Sequence, residues 1–88
     1  MDFIKPKTFR ELQESETFTP DELIATMKDT VEMGAAIGIN TTTELIKKTV
    51  FSNEQREALK ELCLLGHKRK SPHDQVAADE YLRASRLL

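Results

Sequence analysis

Apolar residues in this chain recur at steps of three and four, and the stretches that carry them are bracketed by helix start and stop signals. The clearest runs from Thr19 to Asn40. Leu23, Ile24, Met27, Val31 and Ala35 fall on one helical face. Thr19 stands where an N-cap is needed, Pro20 follows at the first helical position, and Glu22 is placed to close a capping box. Phe18 and Leu23 have the spacing of a hydrophobic staple across that start. Gly38 before Ile39 supplies a left-handed stop, so the pattern predicts a helix over 20–37.

Four more helices are marked by the same punctuation. Thr8 to Glu11 is a capping box with Phe9 and Leu12 behind it, giving a short helix over 8–15 that must dock to persist. Thr41 to Glu44 opens a helix over 42–51 whose face is Leu45, Ile46, Thr49 and Val50. Ser52 to Gln55 opens one over 53–65 with Ala58, Leu59, Leu62, Cys63 and Leu65 inward and Gly66 as its stop. Ser71-Pro72-His73-Asp74 opens the last, over 72–88, with Val76, Ala77, Tyr81, Ala84 and Leu88 inward. Strand-like alternation of useful length is absent, as is any internal repeat. The expected fold is all-α, a compact bundle or orthogonal array of about five short helices in one domain over 1–88, with an extended arm at 1–7.

Composition narrows the class without naming a task. Apolar residues at 39% and charged residues at 32% are in the range of a folded globular chain rather than a disordered one. A chain of 88 residues buries roughly 60 to 65% of its unfolded surface, enough for one economical core. The longest low-polarity run, Met33 to Ile39, is far below the ~20 residues of a membrane span. The first residues lack the apolar segment of an export signal, and Cys63 is the lone cysteine, so the expected compartment is a reducing cytoplasm.

Charge is unevenly spread. Residues 11–32 hold seven acids and one base, whereas residues 47–70 hold seven bases and three acids. Two oppositely charged helix faces that attract each other within the fold account for this, and so does a dipolar surface offered to a partner.

Several constellations bear on chemistry. Gly34 to Lys48 resembles the turn and second helix of a DNA-reading helix-turn-helix, with Thr41, Thr42, Thr43, Lys47 and Lys48 as the nucleic-acid contacts. Its register fails, because Glu44 occupies the position that should be apolar and Leu45 comes one residue late. The acidic preceding helix would also oppose phosphates. His67, Lys68, Arg69, Lys70 and His73 form a basic loop before a helix N-terminus, a place suited to an anion or an acidic partner; the same bases also offset the dipole of the preceding helix. Cys63, His67 and His73 suggest zinc, but only Asp74 is at hand as a weak fourth ligand, so no metal is expected. A nucleophile with its base, a paired-carboxylate site and a glycine-rich phosphate loop are all missing, so no enzyme and no cofactor is expected.

What remains is contact. The sequence fits a small helical regulator, adaptor or inhibitor acting through protein–protein interaction, with a nucleic-acid or nucleotide-phosphate binder using 67–70 and 34–48 as the alternative. Five short helices and the terminal Leu87-Leu88 pair leave apolar surface over, which favours self-association as a dimer. No membrane partner is expected.

Overall fold

Three capping boxes form as the sequence spacing requires. In the computed structural model, which describes residues 8–15, 17–34 and 39–88, with only the backbone at 39 and 40, the backbone N–H groups of Glu11, Glu22 and Gln55 each donate to a capping hydroxyl at 3.1 Å. These hydroxyls belong to Thr8, Thr19 and Ser52, and they start α1 (Phe9–Glu14), α2 (Pro20–Met33) and α4 (Asn53–Lys70). Between them lies α3 (Ile39–Lys47), and α5 (Gln75–Arg86) comes last. The described residues are all-α, with five helices and no strand.

The helices close a ring around one core. α1 packs on α2 and α3, α3 on α5, α5 on α4, and α4 back on α2. Phe9, Leu12, Leu23, Met27, Leu45, Leu59, Cys63 and Tyr81 fill the centre, all essentially without solvent contact. Phe18, the outer half of the staple, packs on this core, as do Phe51 and Leu62. The radius of gyration, 12.1 Å, matches the ~12 Å of a close-packed chain of this length.

Five boundaries depart from expectation, each for a local reason. α2 stops at Met33, because Gly34 takes the left-handed conformation (φ 68°) and turns its N–H back to Val31 O at 3.2 Å. The expected stop at Gly38 lies outside the described residues. α3 begins at Ile39, so Thr41 sits inside the helix and is not its cap. It ends at Lys47, short of Phe51. There the N–H groups of Lys48 and Thr49 tighten onto Leu45 O and Ile46 O, and the Thr49 hydroxyl takes Leu45 O as well at 2.7 Å.

The largest departure is at Gly66, which does not end α4. The helix continues to Lys70, and Gly66 lies buried within it. A Cβ built on Gly66 would stand 2.5 Å from Tyr81 Cε1, closer than real atoms approach. Glycine is here a notch that admits the Tyr81 ring, and the close packing offsets its cost of about 1 kcal/mol in a helix interior. The helix stops instead where Pro72 brings no N–H to donate to Lys68 O. His73 and Asp74 N–H groups both turn to Lys70 O, at 2.9 and 2.7 Å, and Asp74 rather than Ser71 caps α5, taking Ala77 N–H at 3.1 Å.

Carrying α4 past Gly66 fixes its inward stripe as Leu59, Cys63 and Gly66, with Leu62 at the flank. Leu65 is rotated about 100° from Gly66 and is exposed, as is Ala58. Val76 and Val50, also expected inside, are 75% and 91% exposed. Their places are taken by small and polar residues: Ala78 and Ser85 on α5, Thr42 on α3 and Thr26 on α2. Thr26 and Ser85 hydroxyls donate to Glu22 O and Leu82 O. The Thr42 hydroxyl is fully buried without a hydrogen-bond partner.

Two substitutions test this packing. Gly66→Ala should lower stability by about 2 kcal/mol, because the Tyr81 ring is too enclosed to move aside. An unchanged or raised midpoint in denaturant would show that the ring yields. Thr42→Val keeps the shape and removes an unpaired buried hydroxyl, so it should raise stability by about 1 kcal/mol. A fall in the same measurement would mean that the hydroxyl has a partner.

Candidate functional site

The bases expected in a loop form the last turn of α4, and two of them hold another helix. Arg69 donates from its guanidinium to Val31 O at 3.2 Å, and Lys70 Nζ donates to Gly34 O. Both acceptors lie at the C-terminal end of α2, where carbonyls lack the usual donor four residues on and Val31 O has only the capping N–H of Gly34. At the other end of the pair, Gln55 Nε2 donates to Asp21 Oδ1 at 3.1 Å. α2 and α4 therefore run parallel, with their negative ends side by side.

Parallel helices bring like dipole ends together, and the sequence answers at both ends. Asp21, Glu22 and Glu54 occupy the first turns, while His67, Lys68, Arg69 and Lys70 occupy the last turn of α4. His67 faces the third helix end in this region. Its Nδ1 lies 2.9 Å from Ala78 O, and since a carbonyl only accepts, Nδ1 carries the proton and ties α4 to the antiparallel α5. His73 is exposed in the connecting turn.

The cluster has cations without carboxylates. Arg10, Lys47 and Arg83 pair with Glu14, Glu44 and Glu80, at 3.2, 3.8 and 3.1 Å. Among the described residues, Lys68, Arg69 and Lys70 have no such pair. Arg69 and Lys70 spend one donor each on α2, and Lys68 is exposed with no bond. The expected anion seat at a helix beginning with Ser71 does not form, because α5 begins four residues later. The basic residues instead lie, without ion pairs among the described residues, over the joined ends of α2 and α4.

The residues of the alternative nucleic-acid surface are not brought to this place. Thr42 is buried in the core, Thr41 and Thr43 are half-buried, and Lys47 and Lys48 are exposed where α3 ends. Lys48 and Pro20 line the same groove, whereas Lys70 meets Gly34 at the opposite end of α2. The 14 residues of α2 separate the two basic groups by about 20 Å.

That groove was not visible in the sequence. It is open, encloses 470 Å³, and has Leu12, Phe18 and Leu45 in its lining, with Val50 and Lys48 beside them. Its signal would have been the early end of α3, which turns Val50 outward. The reach of Arg69 and Lys70 had a signal too: cations in a last turn favour a helix C-terminus, once α4 is carried through Gly66.

Cys63 lies wholly inside, and burial pushes its thiol from 9.0 up to about 12. Burial, with a smaller contribution from Cys63, likewise raises the Tyr81 phenol from 10.0 to about 12. Among the described residues no three His, Cys, Asp or Glu side chains are grouped to hold a metal ion, and no helix is long and apolar enough to cross a membrane. Comparison of the chain with protein-family models, with curated proteins and with solved structures returned no match.

The two raised acids set an alkaline limit. Both groups keep their protons in the folded chain to higher pH than in the unfolded one, so above about pH 9 the folded state binds more protons and stability falls as pH rises towards 12. Below pH 9 they contribute no slope. The thermal midpoint measured from pH 7 to 11 should show this bend, and Cys63→Ala should reduce it; a bend of equal steepness in that variant would remove Cys63 from the account.

Proposed function

We propose that the chain works by contact, as a non-enzymatic regulator or adaptor that presents the cationic end of α4 to an acidic segment of another protein. The observation that carries this reading is that Lys68, Arg69 and Lys70 stand in succession at one helix end with no carboxylate partner among the described residues. Cations already anchored by backbone carbonyls are partly ordered before a partner arrives, which lowers the entropic cost of meeting carboxylates. A strand of nucleic acid would call for a continuous basic track, and Lys47 and Lys48 do not extend this one. The free buried thiol of Cys63 suits a reducing compartment.

The test compares partners captured from nuclease-treated lysate by the parent protein, by Lys68→Glu and by Lys48→Glu, each first shown to be helical by circular dichroism. Lys68→Glu should weaken the captured interaction at least about tenfold, the equivalent of ~1.4 kcal/mol, and Lys48→Glu should leave it intact. Capture should also fade as salt rises. If Lys68→Glu retains every partner of the parent, the cationic end is not the contact surface. If nuclease abolishes capture, the partner is a nucleic acid.

A further inference from the structure

Ser71 is the first residue beyond the cationic turn, and its surroundings form a set. It is exposed, its N–H is taken by His67 O at 2.9 Å, and its hydroxyl has no hydrogen bond. Lys68, Arg69 and Lys70 precede it and Pro72 comes directly after. Protein kinases recognise acceptors largely by charge pattern along the flanking chain, and three successive cations before an exposed serine make such a pattern. An acceptor must also leave its helix to enter a kinase cleft. The backbone here is ready to do so, because Pro72 has no N–H for Lys68 O and the His73 N–H passes over Arg69 O to reach Lys70 O.

From this we infer that Ser71 is a phosphorylation site, and that its modification releases the C-terminal end of α2. In the transfer, Ser71 Oγ bonds to the γ-phosphorus of a nucleoside triphosphate held by the kinase. The bond from that phosphorus to the bridging oxygen breaks, nucleoside diphosphate leaves, and the hydroxyl proton passes to the kinase's base. The product carries close to two negative charges and three acceptor oxygens in the middle of the cationic turn.

Competition for donors sets the consequence. Ser71 continues the helical backbone, so its side chain shares a face with His67 and Lys68, four and three residues earlier. Arg69 and Lys70 are attached two residues and one residue away, and both now donate to neutral carbonyls. The present bonds are charged on the donor side alone, whereas a phosphate is charged on the acceptor side as well and can take a guanidinium in two parallel bonds, so it draws both side chains from Val31 O and Gly34 O. The Asp74 carboxylate and the negative end of α4 repel the phosphate, which turns it further towards the bases. The last turn of α2 then loses the donors supplied by α4.

The experiment treats the purified chain with magnesium ATP and, in parallel, a proline-directed kinase and a kinase that reads upstream bases. Intact and fragment masses locate the product, and Ser71→Ala and Ser71→Thr serve as controls. One phosphoryl group should appear at Ser71 with at least one kinase, vanish in Ser71→Ala and persist in Ser71→Thr. Amide hydrogen exchange over 31–34 should become about tenfold faster in the phosphorylated chain, while exchange in the first turn of α2 stays unchanged. Failure of both kinases to modify Ser71, or modification with unaltered exchange at 31–34, overturns the inference.

Discussion

An aromatic ring can lie against a helix backbone this closely only where the helix gives up a side chain, and the contact between Gly66 and Tyr81 is where this fold does so. The ring enters between α4 and α5, the two helices with the most extensive interface among the described residues. Because α4 does not stop at the glycine, it gains a further turn. That turn carries every cation of the candidate site, and it is long enough to meet the end of α2. The acid–base behaviour of the interior has the same origin: the close approach encloses the phenol beside the Cys63 thiol and raises both groups.

The extra turn also resolves an electrostatic problem. Two parallel helices place like partial charges together, an arrangement that costs energy unless something intervenes. Here the intervening groups are side chains of one partner bonded to carbonyls of the other. The cations offset the dipole of their own helix end and of a neighbouring one at the same time. A cluster that serves the structure in this way is not excluded by that service from the anionic partner proposed for it.

Much of the fold was legible in the residues, and what was not has a common cause. Caps are local, so Thr8, Thr19 and Ser52 could be read from three-residue spacing alone, and the core positions Leu23, Met27, Leu59 and Tyr81 from periodicity. Glycine is ambiguous on local grounds. Gly34 has the left-handed backbone of a stop, while Gly66 lies in an uninterrupted helix, and only the distant Tyr81 distinguishes the second case from the first. Once Gly66 is misread, Leu65 turns inward on paper and the bases fall into a loop. Val50 and Val76 were misplaced because hydrophobicity sets a preference for burial, whereas small residues such as Ala78 allow the close approach that assembly of these helices needs.

The order of helices around the ring differs from their order along the chain. α4 and α5 meet through residues as little as 11 apart, from His67 to Ala78, while the bonds between α2 and α4 join residues 34 to 38 apart. The chain thus contains one hairpin that closes cheaply and one pairing that spans the whole of α3, whose loop must be closed before any contact repays it. An N-terminal fragment ending before α4 keeps the packing of α1 on α2 and α3 but lacks Leu59, Cys63 and Tyr81 from the core that Leu23, Met27 and Val31 share. The first three helices have their sequence determinants in place but take a large share of their cover from α4 and α5, so in growth from the N-terminus the core is completed only when the last hairpin arrives.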